Sequence, residues 1–326
     1  MALHKQLAST VITAAAITAF SFTAALAADP YPTKPIRMIV GFAPGGGTDL
    51  TARPVAQKLS ELLGQQVIVE NRPGAAGNIA TEQVARAAPD GYTLLMGTIA
   101  ALAINPSLYG NLKFDPETDL APVIQVVDAT NVLALHPSVQ AGSVKELIAL
   151  AKQKSLSAGS SGIGATGHLA IELFNLMAGT KLVHVPYKGG GPAMADLVGG
   201  QIHLIFATTA SAVPQIKAGR VKGIAVTTAK RSALMPELPT ISEAGLAGFD
   251  ANNWYGLVAP AKTPRAIIDQ LNAEVTKILN MPEVKATLFN QGLDPAPGTP
   301  EQFGAYIRAE RIKWANVIKE SGAKAE

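Results

Sequence analysis

Three times in this chain a short apolar run ends in a glycine-rich turn and a helix-forming stretch follows. Ile36–Val40 leads into Gly41-Phe42-Ala43-Pro44-Gly45-Gly46-Gly47-Thr48-Asp49. A run at 156–159 leads into Gly159-Ser160-Ser161-Gly162-Ile163-Gly164-Ala165-Thr166-Gly167-His168. A third, at 182–185, leads through Pro186-Tyr187 into Lys188-Gly189-Gly190-Gly191-Pro192. Strands that are apolar throughout and alternate with helices predict an α/β fold, with parallel sheets covered by helices on both faces. The glycine turns then fall at the carboxyl ends of strands, where open sheets bind ligands.

The rest of the chain keeps the alternation. Residues 48–63 read as a helix with Leu59, Leu62 and Leu63 on its apolar side, bent by Pro54. Strands at 67–69 and 93–96, with a helix at 79–88 stopped by Pro89-Asp90-Gly91, complete a βαβαβ run. Residues 120–127 and 131–136 are further apolar runs placed to link to a second unit, and strands read at 202–207, 223–227 and 254–258. Helices read at 143–154, 166–178, 192–198, 213–218, 264–279, 282–291 and 300–320, the first opened by a Ser143/Glu146 capping box. Residues 229–252, rich in Pro, Gly and Ala, read as an extended return segment.

At the N-terminus Lys5 precedes an uncharged stretch at 11–22, and Ala25-Leu26-Ala27 fits a signal-peptidase site. The expectation is a signal peptide at 1–27 cleaved before Ala28, and a product exported to a periplasm. The whole chain carries 27 basic and 24 acidic residues, with no run of five like charges. A nucleic-acid or anionic-membrane partner is therefore not expected. Without cysteine, disulfides, thiolate metal sites and cysteine nucleophiles are excluded. His136, His184 and His203 stand singly in or beside apolar runs and read as core or edge residues. No spacing suggests a metal, and no cofactor is expected.

A helix N-terminus behind a glycine turn presents free N–H groups and the positive end of the helix dipole, so it favours an anion. The second turn contains a literal Gly162-x-Gly164-x-x-Gly167, but the next strand ends Val183-His184-Val185-Pro186-Tyr187-Lys188, with no acid for a ribose. A dinucleotide is therefore not expected. Ser160 and Ser161 lack the spacing of a nucleophile elbow, because Ala158 and Ile163 stand where glycines are needed. A triad with His168 and Asp196 would require proximity that spacing does not supply, so the serines read as donors to a carboxylate. Asp49 has two readings: it complements the dipole of its helix, or it accepts from a ligand or fixes the glycine loop. Trp254-Tyr255-Gly256 reads as core, with a ligand-facing wall as the lesser reading.

Several segments then align with a known family. They are Tyr31-Pro32-x-Lys34-Pro35-Ile36-Arg37, the turn at 42–49, Val69-Glu70-Asn71-Arg72-Pro73-Gly74-Ala75, Pro89-Asp90-Gly91-Tyr92-Thr93, Ala103-Ile104-Asn105-Pro106, His184-Val185-Pro186-Tyr187-Lys188-Gly189 and Trp254-Tyr255-Gly256. In order and spacing the chain resembles the Bug-type solute receptors of tripartite tricarboxylate transporters. The resemblance implies a two-domain periplasmic binding protein, type II-like, with parallel-sheet domains, a hinge and an interdomain ligand cleft. Domain 1 would combine 28–127 with 250–326, and domain 2 would be 128–249.

The resemblance further implies a carboxylate held by N–H groups, hydroxyls and bound water. Phe42, Ala43, Gly46, Thr48 and Asp49 would hold it on one side, and Ser160, Ser161, Gly164, Thr166 and His168 on the other. Thr98 and Tyr187 are further candidates. Many relatives carry Asp where this chain has Ala207, which points to an acid without an amino group. The implied role is a monomeric, non-enzymatic receptor that passes a small aliphatic or aromatic acid to transporter membrane subunits. The alternatives are an exported carboxylate sensor feeding a signalling partner and an exported serine hydrolase.

Overall fold

The computed structural model describes residues 31–187 and 189–325. The expected signal peptide, its cleavage site and Lys188 of the third turn lie outside the described residues. The strands are β1 (Ile36–Val40), β2 (Val67–Asn71), β3 (Thr93–Thr98), β4 (Leu120–Ala129), β5 (Asn131–Leu135), β6 (Ser157–Ser160), β7 (Val183–Pro186), β8 (Leu204–Thr208), β9 (Lys222–Val226), β10 (Asn253–Pro260) and β11 (Leu293–Pro295). The α-helices are α1 (Gly47–Leu63), α2 (Asn78–Ala85), α3 (Asn105–Leu108), α4 (Pro116–Asp119), α5 (Val144–Gln153), α6 (Thr166–Ala178), α7 (Gly190–Val198), α8 (Thr209–Lys217), α9 (Arg265–Asn280), α10 (Pro282–Asn290) and α11 (Pro300–Ser321).

Two sheets form, in the orders β11-β4-β10-β3-β1-β2 and β7-β6-β8-β5-β9. Within each glycine-turn unit the strands are parallel, as expected: β1 with β2 and β3, and β6 with β7 and β8. The sheets are nevertheless mixed, which corrects the expectation of purely parallel ones. In the first sheet β10 runs antiparallel to β3 and β4, and β11 to β4. In the second, β5 runs antiparallel to β8 and β9. The reason is connectivity. Both β5 and β10 enter their sheets from the other sheet rather than through a helical crossover, and only the crossover imposes parallel pairing.

The chain passes from one sheet to the other at Thr130 and returns after β9, reaching β10 at Asn253. The two passages lie side by side: Thr227 N–H donates to Asn131 O at 3.0 Å, and Ala251 N–H to Thr227 O at 2.9 Å. Trp254, fully buried on β10, meets Phe303 of α11 edge-on at 5.5 Å between centroids. Phe174 of α6, Phe206 of β8 and Phe249 of the return segment form the matching cluster at the second sheet. Each such ring removes on the order of 150–250 Å² from water, so these clusters hold the helices on their sheets.

Helix ends follow the local chemistry. Thr299 and Gln302 make a reciprocal capping box at α11. Ser143 accepts from Glu146 N–H at 3.2 Å, but the Glu146 carboxylate reaches one residue further back, to Gly142 N–H at 2.7 Å. α1 is continuous through Pro54, which costs one helix hydrogen bond without ending the helix. A π-helical turn at Ala100–Ile104 between β3 and α3 had no sequence signature. Among the described residues no helix is long and apolar enough to cross a membrane.

Candidate ligand-binding site

The first glycine turn joins β1 to α1, and no side chain caps the helix: its N-cap is Gly46. Ala43 and Gly46 are exposed, so the turn's backbone faces solvent. Asp49, buried in the first turn of the helix, does not face outward. Its carboxylate accepts from Gly45 N–H at 2.9 Å, from Arg53 Nε and Nη2 at 2.8 Å each, and from Asn71 Nδ2 at 2.9 Å. Burial alone would raise this carboxyl, but those donors outweigh it and hold it below its ordinary value. Asn71 also donates to Phe42 O at 2.9 Å, fastening the start of the turn to its end. Of the two sequence readings of Asp49, the geometry favours fixing the loop: the acceptor positions are filled from within the chain.

Thr48 is buried beside Tyr255, whose hydroxyl lies so close to Gly47 that a Cβ there would sit 2.6 Å from it. Only glycine fits at 47. Asn253 Nδ2 donates to the same hydroxyl at 3.2 Å. Thr98, directly opposite Tyr255 across β3 and β10, is buried, and its Oγ1 has no partner. The Phe42 ring rests on Gly77, next to Ala101 of the π-helical turn.

The second turn joins β6 to α6, again with an uncapped N-terminus; its N-cap is Ala165. Ser160 and Ser161 separate here. Ser160 is fully buried, its Oγ 2.6 Å from His184 Nε2 and 3.1 Å from Gly162 N–H, which donates to it. Ser161 is exposed. The His184 ring stacks on His168 at 4.1 Å, and His168 Nδ1 accepts from Gly164 N–H at 3.2 Å. Burial, with the neighbouring His184, lowers His168 to about 3, outweighing the Glu172 carboxylate 3.7 Å away. Burial lowers His184 to about 4. Both rings are therefore neutral acceptors or donors rather than cations. Thr166, the first residue of α6, is buried at the same end.

Tyr187 of the third turn donates its hydroxyl to Asp196 at 2.7 Å, and its ring lies against Gly159. Burial first, and then Asp196, push the phenol up to about 12. With Asp196 engaged there and Ser160 enclosed, the serine, His168 and Asp196 are not assembled as a triad. His184 holds Ser160 instead, in a pair with no exposed nucleophile.

The structure thus gathers Phe42, Ala43, Gly46, Thr48 and Asp49 at one helix start and Ser160, Gly164, Thr166 and His168 at another. Both starts border the segment from Ala100 to Tyr109: Phe42 through Gly77 and Ala101, and Gly164 through Asn105, Leu108 and Tyr109. Asn71, His184 and Asn105 were not singled out as site residues, and Tyr255 only within a ligand-facing wall, the lesser of two readings. Each acts through a partner at least 20 residues away, a distance at which no local pattern exists.

Comparison with known proteins identifies the family and the fold. The family model described as tripartite tricarboxylate transporter family receptor matches residues 51–323. The chain is 38% identical over 304 residues to Protein BugT of Bordetella pertussis, covering 92% of this chain and 93% of that one. Among solved structures it superposes on R. palustris Rpa4515 with adipate at TM-score 0.85 and 38% identity, covering 90% and 99% of the two chains. It superposes on MatC from Rhodopseudomonas palustris with bound malate at 0.81 and 30%, covering 88% and 100%. Two sheets joined by two passages, each with a glycine-led helix start, are thus the two-domain fold of a periplasmic binding protein, and this chain belongs to the receptor family of the tripartite tricarboxylate transporters.

Proposed function

We propose that this chain captures a small carboxylate between domains 28–127 plus 250–326 and 128–249, in the periplasm, and delivers it to the membrane subunits of a tripartite tricarboxylate-type transporter. It would be exported with cleavage before Ala28 and act as a monomer without a cofactor. The observation that carries this reading is the pair of uncapped helix N-termini, α1 behind Gly46 and α6 behind Ala165. Each offers N–H groups and a positive dipole end to an anion. The buried, unpartnered Thr98 Oγ1 adds a hydroxyl on the same face of the sheet as Tyr255. Adipate and malate in the titles of two structural neighbours support a dicarboxylate as the first class to try. Ala207, apolar and buried at the end of β8, supplies no anion for a ligand ammonium, which favours acids without an amino group.

Capture requires no covalent step. Charge-assisted hydrogen bonds contribute about 1.5–3 kcal/mol each before desolvation and ordering costs. Three or four therefore suffice for micromolar affinity, roughly −8 kcal/mol. A ligand touching both domains shifts the hinge towards closure, because it gains its full set of contacts only there. The test is calorimetry on protein unfolded and refolded to strip bound acid. The panel holds aliphatic di- and tricarboxylates, aromatic acids, amino acids, phosphate and NAD. Saturable 1:1 binding of one acid, recovered unaltered, is expected; silence towards every acid, or conversion of the acid, would overturn the proposal.

A further inference from the structure

Asn105 stands where the π-helical turn at Ala100–Ile104 gives way to α3, and it has no exposed surface. Its Nδ2 donates to Asn78 Oδ1 at 2.7 Å and to Ala76 O at 3.3 Å. That end of the amide holds the turn after β2, in which Ala75 and Ala76 both adopt positive φ, 46° and 51°. Non-glycine residues keep that conformation only where their surroundings impose it. The other end, Oδ1, is buried and has no donor. Over it lies Gly164 of the second turn, at φ +80°: a Cβ there would be 2.8 Å from Asn105 Oδ1, 3.2 Å from Leu108 and 3.5 Å from Tyr109. One side chain thus ties a strained turn beside the first sheet to the glycine turn that leads from the second.

We infer that Asn105 is a positioning residue for closure: it seats the second glycine turn against the first half of the site, and its contact with Gly164 is made only when the halves come together. The inference rests on the two-sided binding reading above. When the halves separate, water reaches Oδ1 and satisfies it. When they close, the acceptor is buried without a hydrogen-bond donor. Asn105 therefore sets the geometry of closure while opposing closure that is not compensated by bonds to a bound acid. Glycine at 164 is what permits the approach.

The experiment is a spin-label distance measurement across the cleft. The chain has no cysteine, so Gln57→Cys on α1 and Ala195→Cys on α7, both exposed positions, carry the only labels. The refolded protein is measured alone and with malate or adipate, beside calorimetry with the same acids. In the labelled parent a short-distance population is expected to grow with acid. Gly164→Ala should reduce that population at least tenfold, and Asn105→Ala added to it should restore most of the loss, because the clashing Oδ1 is gone. Asn105→Gln, which pushes a longer amide at Gly164 while keeping glycine at that left-handed position, should also open the protein. It decides the matter should Gly164→Ala fold poorly. A short population insensitive to Gly164→Ala and to Asn105→Gln, with acid binding intact, overturns the positioning role and leaves the binding reading standing. A parent with no short population under any condition overturns the positioning role, and absence of acid binding there removes the binding reading with it.

Discussion

The two glycine turns present the same backbone device and are built by opposite electrostatics. The first is braced by charge: Asp49, buried, gathers Arg53, Asn71 and Gly45 N–H, and the Arg53 side chain remains half in solvent. The second is braced by neutrality: buried Ser160 and His168 and the partly buried His184 form a chain of rings and hydroxyl in which lowered pKa values keep both histidines neutral at pH 7. A helix N-terminus that is to receive an anion must keep other anions from its mouth. At the first turn the carboxylate is turned inward and saturated; at the second there is no carboxylate in the turn. The same electrostatic outcome at the mouth has two solutions, and they respond differently to acid.

The largest expected effect is therefore that of pH. A buried histidine with a lowered pKa contributes full stability above its unfolded value, near 6.5, and loses it as pH falls towards about 4 for His184 and about 3 for His168. At pH 5 that is about 2 kcal/mol for each histidine. Asp49 responds in the same direction but in a lower pH window. Its lowered carboxyl keeps its contribution above the ordinary value of 3.8 and loses it only below. Urea midpoints should thus fall steadily from pH 7 to pH 5, and His168→Gln with His184→Gln should flatten the curve. A wild-type curve already flat over that range would show that the second turn is not held by neutral rings.

Asp49→Ala comes next. It strands the half-solvated Arg53 and leaves Asn71 and Gly45 N–H short of an acceptor. A loss of about 1–3 kcal/mol is expected, from the lost hydrogen bonds rather than from the solvated Arg53 charge, with little added pH dependence above pH 5. An unchanged melting temperature would deny the carboxylate its bracing role.

The adjacent serines sharpen the contrast on the smallest scale. Ser160→Ala removes the hydroxyl that meets His184 and Gly162, and should cost about 1–3 kcal/mol of stability. Ser161→Ala removes an exposed hydroxyl, and should leave stability within about 0.5 kcal/mol while weakening acid binding roughly tenfold, or about 1.4 kcal/mol. Titration and thermal melts of the two variants side by side would expose a reversed pattern at once.

Much of this was legible in the sequence because glycine and proline punctuate the chain where strands end. β1, α6 and the flanks of the first two turns fall at or within a residue of their expected bounds. What was not legible lies in long-range pairing. The direction of β5 and β10 depends on which sheet the chain enters, and nothing within those apolar runs encodes it. The π-helical turn at Ala100–Ile104 reads as one more apolar stretch. At the site, the glycine turns announced themselves, since backbone conformation is a local property. The residues that brace them did not: Asn71 reaches back 22 residues to Asp49, His184 reaches back 24 to Ser160, and Tyr255 arrives at Gly47 from the far end of the chain. Ser160 was expected at a ligand and is committed inward, while its neighbour Ser161 is the one left exposed.

The central claim is that two helix N-termini grip one carboxylate through backbone N–H groups. Amide NMR of the refolded, nitrogen-labelled protein during titration with malate and adipate tests it most directly. The account predicts saturable shifts of the Gly46, Gly47 and Thr48 amides together with those of Thr166 and Gly167, at one common affinity. Shifts confined to one turn, or centred on residues remote from both, would contradict it.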